Sequence, residues 1–270
     1  MTRGTHARRF FLVALAALAA GAGPVACARG PAPELEVEVL RRLPHDPAAF
    51  TQGLLFHQGR LYESTGTYGA SDLRRVDPET GTVEAIRWLP DDEFGEGLAR
   101  VGEELVQLTW RAGRAYRWPL DGFELGDPPL AVHTYAGEGW GLCYDGERLI
   151  RSDGSARLLF HDPADFTPLG SVDVTWDGEP VTDLNELTCA VDRVFANVWF
   201  DDRVVRIDPA SGRVDGWIDL SGLLPEEERA PLGPDAVLNG TAWDPEREVL
   251  YATGKLWPAL FELRIVGEAR

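Results

Sequence analysis

Phe94-Gly95-Glu96-Gly97-Leu98 returns in altered form about every 44 residues along the 270-residue chain. Phe50-Thr51-Gln52-Gly53-Leu54 precedes it, and Gly139-Trp140-Gly141-Leu142, Leu184-Asn185-Glu186-Leu187 and Leu238-Asn239-Gly240-Thr241 follow. Gln52, Glu96, Trp140, Asn185 and Asn239 therefore share one position, at steps of 44, 44, 45 and 54 residues. A period near 44 is the length of one four-stranded propeller blade, so the repeat outranks any single motif. What varies at the shared position is the polar or aromatic residue.

Outward from that position each repeat reads as short strands and tight turns. In the first, Gly53–Phe56, Arg60–Thr65, Leu73–Asp77 and Thr82–Ile86 are strand-like, and Asp77-Pro78-Glu79-Thr80-Gly81 is turn chemistry. A helical turn is expected only at Pro225–Arg229, in the insertion behind the 54-residue step. The fifth repeat carries three strands and then the chain ends. The alternating stretch Glu34–Val39 stands outside the repeats and supplies the missing fourth strand. Pairing both termini in one blade leaves no open sheet edge. The fold class is thus all-β, a five-bladed β-propeller over residues 34–270 whose last blade is closed by the N-terminal strand. Six or seven blades would need roughly 40 to 80 more residues.

Residues 1–27 read as an export signal: Arg8-Arg9-Phe10-Phe11-Leu12 is twin-arginine-like, and an apolar run and small residues follow. Val25-Ala26-Cys27 competes as a lipoprotein box with ordinary cleavage nearby, and residues 28–33 form a tether. The expected location is periplasmic or extracellular, with Cys27 as the lipid anchor in one of the two readings. Arg3, Arg8 and Arg9 are the only charged side chains before Cys27. Removing them from 26 basic residues leaves 23 against 44 acidic ones, a net of −21. Such a surface repels phosphate backbones, which argues against nucleic-acid partners. The basic residues are 25 arginines and one lysine, Lys255. Genome composition explains the arginine excess by itself; the alternative is that the lone ammonium stands where a larger, permanently charged fork would not serve.

In a propeller the first strand of each blade lines the axis, so the shared positions converge on one mouth of the channel. A second series lies 14 residues later, at Gly66, Trp110, Gly154, Trp199 and Thr253, with Lys255 beside it. The mouth collects one carboxylate, three amides, one ammonium and three indoles, the make-up of a small-ligand pocket. The stretches at 50–54, 62–69, 94–97, 107–110, 139–142, 184–187, 196–199 and 253–258 together resemble the plant and bacterial glutaminyl-peptide cyclotransferases. The resemblance spans residues 35–266. It implies a five-bladed propeller acting on peptides or proteins with N-terminal glutamine, forming pyroglutamate and ammonia without a cofactor. The zinc-dependent animal enzymes of that activity have no counterpart here, and the scattered histidines offer no zinc spacing.

That chemistry needs one group to take a proton from the attacking amine and return it to the leaving nitrogen. Glu96, the only carboxylate at the shared position, is the candidate; Lys255, Gln52 and Asn185 are candidate oxyanion donors. Phe50, Phe94, Trp110, Trp140 and Trp199 are expected to wall the site, raising the Glu96 pKa while Lys255 opposes them. A monomer is expected, no catalytic metal site is read, and a structural calcium stays open. Cys143 and Cys189 occupy matching places in neighbouring repeats. A disulfide, which the exported compartment permits, stays open against two buried thiols, which the expected distance between equivalent strands of adjacent blades favours. The rival readings are a calcium-dependent, lactonase-like propeller hydrolase using Glu96, Asn185, Glu186 and Asn239, and a non-catalytic binding propeller.

Overall fold

The computed structural model describes residues 1–2 and 31–268; the expected export signal and the start of the tether lie outside the described residues. The described residues from Pro31 onward form one compact unit built of five sheets, whose strands pair antiparallel except at one parallel bridge, Thr175 to Arg213, at the edge of one sheet. Blade 1 comprises Thr51–His57, Arg60–Thr65, Asp72–Asp77 and Thr82–Trp88; blade 2 comprises Gly95–Val101, Glu104–Thr109, Arg114–Pro119 and Ala131–Thr134. Blade 3 comprises Leu142–Tyr144, Leu149–Arg151, Arg157–His161 and Pro168–Asp173. Blade 4 is built on Leu184–Ala190, Arg193–Val198, Arg203–Asp208 and Arg213–Asp219. Blade 5 holds Leu238–Asp244, Val249–Gly254 and Ala259–Glu268, and Leu35–Pro44 pairs with the last of these as its outermost strand. The first strands pack on one another in ring order, and blade 5 meets blade 1.

Apolar alternation explains the ring. Each sheet buries side chains on both faces, and five hydrophobic clusters result, one per pair of neighbouring blades. Leu98 and Leu105 of blade 2 pack with Tyr62 and Leu73 of blade 1, for example, and Leu54 and Leu61 of blade 1 with Ala242 and Tyr251 of blade 5. Five interfaces for five blades is the condition of closure. The short helix appears at Glu226–Arg229, as expected.

Three features depart from the sequence reading. The N-terminal strand runs on to Pro44, through a register shift between Val39 and Arg41 that lets Arg41-Arg42 interrupt the alternation. Blade 4 also carries an extra hairpin, Thr175–Trp176 with Glu179–Pro180, turning on Asp177-Gly178 with both φ positive. Finally, Cys143 and Cys189 are disulfide-bonded, with Cα atoms 5.4 Å apart. First strands of adjacent blades converge near the axis: a Cβ at Gly141 would stand 2.1 Å from the Asn185 carbonyl oxygen. The bond therefore staples blade 3 to blade 4 across a 46-residue separation. Closing a loop of that length stabilises by about 2–4 kcal/mol. The Cys143→Ser/Cys189→Ser double variant is expected to lose that much in reversible urea unfolding, and an unchanged midpoint would show that the staple contributes nothing.

Candidate active site

In four of the five repeats the shared position is a break in the ladder. Register shifts fall between Thr51 and Gly53, Gly95 and Leu98, Leu184 and Leu187, and Leu238 and Thr241. A bulge re-aims a side chain that a regular strand would point into a blade interface. Gln52, Glu96, Asn185 and Asn239 all sit on these bulges, and each is at least 95 % buried. Backbone bonds then bring the second series alongside: Gly66 N donates to Phe50 O at 2.8 Å, Trp110 N to Phe94 O at 2.9 Å, and Trp199 N to Asp183 O at 2.8 Å.

The result is a cavity of about 140 Å³ lined by Phe50, Gln52, Phe94, Glu96, Trp110, Trp140, Asn185, Trp199, Asp235 and Lys255. Every site residue expected from the sequence is there. The wall is a chain of rings running around the ring of blades: Phe50 meets Phe94 edge-on at 6.0 Å, Phe94 meets Trp110 at 5.6 Å, and Trp140 meets Trp199 at 5.5 Å. Glycines in the second series leave room for it. A Cβ at Gly66 would fall 2.0 Å from the Phe94 ring, and one at Gly154 2.7 Å from the Trp140 indole. Lys255 closes the circle from blade 5, its Nζ 4.9 Å from the Phe50 centroid and 6.0 Å from that of Trp199.

On the floor, a hydrogen-bonded line fixes the acid. Asn239 Nδ2 donates to Thr51 O and, at 3.2 Å, to Gln52 Oε1; Gln52 Nε2 donates to Glu96 Oε1 at 2.9 Å. Asn239 thus stands behind Gln52 instead of at the opening, which corrects the even ring of five. Glu96 Oε2 and Asn185 Oδ1 are buried and accept no hydrogen bond from the described residues. Both residues line the cavity, so each leaves an acceptor free for an N–H donor bound there.

Burial decides the electrostatics. It pushes the Glu96 carboxyl well above the usual range, against the nearby Lys255 ammonium and the Gln52 donor; the Glu138 charge pushes the same way as burial. Burial also brings Lys255 down to about 8, against Glu96 and Asp235. Both members of the pair are thus moved towards neutrality.

Two contributors escaped the sequence reading. Asp235 comes from the insertion before blade 5, which has no counterpart in the other repeats. Glu138 lies two residues before Trp140, and its Oε2 accepts from both indoles, Trp110 Nε1 at 2.7 Å and Trp140 Nε1 at 2.9 Å. Arg111 donates to its other oxygen at 3.0 Å and stacks on Trp110. The Glu-Gly-Trp-Gly spelling was the available signal: an acid beside an indole that needs an acceptor.

Known proteins carry the same features. The profile of the glutamine cyclotransferase family matches residues 12–265. A glutaminyl-peptide cyclotransferase of Arabidopsis thaliana is 41 % identical over 235 residues, covering 85 % of this chain and 71 % of the relative. The crystal structure of Myxococcus xanthus glutaminyl cyclase superposes with a TM-score of 0.80 at 41 % identity, covering 88 % of this chain and all of that one. With the fold, the aromatic cavity and its buried acid in place, these matches show that the chain belongs to the glutamine cyclotransferase family.

Proposed function

We propose that the chain cyclises the N-terminal glutamine of peptides and proteins to pyroglutamate, releasing ammonia, by general acid–base catalysis that uses no metal. The observation that carries this is Glu96: the one carboxylate on the buried floor, held by Gln52 and raised in pKa by its surroundings. Its conjugate acid and the substrate amine are brought closer in strength, which is what a shuttle needs. Glu96 takes the proton as the amine nitrogen bonds to the γ-carboxamide carbon. It then delivers that proton to the amide nitrogen, and the C–N bond breaks to give ammonia and the lactam.

Gln52 spends a donor on Glu96, so Lys255 is assigned the oxyanion, and Asn185 Oδ1 the carboxamide N–H. The rings fold the glutamine side chain towards its cyclic shape and keep water away, the orientation gain open to an intramolecular reaction. The calcium-dependent alternative would set a dication beside the Lys255 ammonium with Glu96 as the sole floor carboxylate, a poor set of hard ligands.

The test is ammonia release from a glutamine-initiated dipeptide. One ammonia per peptide with a lactam product is expected, and an inert wild type would sink the proposal. The signal-like residues 1–27 support export of the enzyme, anchored where Cys27 is acylated. Fatty-acid labelling that Cys27→Ser abolishes is the expected result for the anchored form; no labelling points to ordinary cleavage.

A further inference from the structure

Trp199 belongs to the cavity wall, yet 40 % of it is exposed; the next residue, Phe200, is 62 % exposed. The two rings lie 4.6 Å apart with 33° between their planes, so Phe200 continues the wall outward from the mouth. Phe200 also sits in the left-handed region, with φ at 62°. It occupies the third position of a Val198–Asp201 turn, closed by Asp201 N donating to Val198 O at 2.9 Å. Glycine or asparagine is the ordinary occupant there, and a bulky side chain is disfavoured. The conformation is pinned on both sides. Trp199 N is bonded to Asp183 O, and the Asp201 carboxylate accepts from Arg203 Nε at 2.9 Å.

A strained backbone that holds an apolar ring in water calls for a use, and such residues gather at ligand clamps. No hydrophobic core cluster claims Phe200. Its sole aromatic neighbour among the described residues is a wall of the pocket. The pocket, about 140 Å³, holds little beyond one side chain. Under the cyclisation reading, on which this inference rests, whatever follows the glutamine must therefore leave through the mouth.

We propose that Phe200, with the outer part of Trp199, is the subsite for the side chain of the substrate's second residue, and that it selects apolar and aromatic side chains there. Stacking on an exposed ring favours a planar apolar partner and gives nothing to glycine. The subsite acts on the non-reacting part of the substrate, so its effect falls on discrimination between peptides.

The experiment compares kcat/KM for ammonia release from Gln-Phe-amide and Gln-Gly-amide, with wild type, Phe200→Asn, Phe200→Tyr and Tyr68→Ala. Asparagine tolerates the left-handed turn, so the first variant removes the ring and keeps the fold; its thermal midpoint should match or exceed wild type. The wild type is expected to favour Gln-Phe-amide about tenfold. Phe200→Asn should erase that ratio and Phe200→Tyr retain it. Tyr68→Ala serves as the control, because Tyr68 is the exposed ring on the far side of the mouth, packed on Phe94 at 5.5 Å. A wild type without the preference, a ratio that survives Phe200→Asn, or a ratio lost only in Tyr68→Ala overturns the proposal. Failure to cyclise either peptide removes the function itself, and the subsite with it.

Discussion

Glu96→Gln is expected to lower kcat for ammonia release about 10³- to 10⁴-fold, the upper part of the range for a positioned general acid–base. The substitution keeps the volume, and the new amide oxygen can still accept from Gln52 Nε2, so the cavity geometry should survive. It removes the group that carries the proton between the two nitrogens. Stability is expected to move the other way. The folded pKa of Glu96 is raised above its unfolded value near 4.5, so the wild type loses stability as pH rises from 4.5 through the folded pKa. The glutamine variant has no such loss. The two proteins should therefore unfold alike at pH 4, and the variant should be the more stable at higher pH. Thermal unfolding across pH 4–9, run beside the kinetics, separates lost chemistry from lost folding. A variant within tenfold of wild-type turnover would remove Glu96 from the mechanism.

The same residue shows how far the sequence could be read. A repeat that keeps its apolar frame but changes one residue points to a site, because packing alone gives no reason for Gln52, Glu96, Trp140, Asn185 and Asn239 to differ. Ring closure then brings together residues up to 187 positions apart. The reason they face the axis was hidden, since the bulges at four of these positions depend on how a blade meets its neighbour. Asn239 shows the consequence: position in the repeat placed it at the mouth, while its hydrogen bonds turn it towards Gln52.

Distances between strands were less legible than their order. Equivalence in neighbouring repeats puts Cys143 and Cys189 on adjacent blades and leaves their separation, and so the bond, open. Inner strands that touch through glycine bring them within bonding reach. Asp235 was invisible for the opposite reason, because it arises where the repeat is interrupted. Glu138 sits in a linker, and its value comes from two indoles 28 and 2 residues away. Periodicity finds what recurs. It passes over a single residue that ties two recurrent ones together.

Lys255 gives the second large effect. Taken as the oxyanion donor, it must be protonated to act, and burial brings its pKa down to about 8. The wild-type kcat should therefore fall on the alkaline side as pH rises through about 8. Lys255→Met is expected to cost about 10²- to 10³-fold in kcat, the usual loss for one such donor. It also removes the ammonium that opposes the rise in the Glu96 pKa, so the acid limb of the profile should move to higher pH. Lys255→Arg behaves differently. A guanidinium stays charged throughout the accessible range, so the alkaline limb attributable to residue 255 should vanish. The planar fork is also too large for the place between Phe50 and Trp199, and kcat should still drop about 100-fold. An acid limb that moves in one variant and an alkaline limb that disappears in the other cannot both follow from a packing defect. If Lys255→Arg instead leaves turnover, affinity and the pH profile as they were, the single lysine of this chain is incidental, and the oxyanion must be held by Asn185 or the second N–H of Gln52.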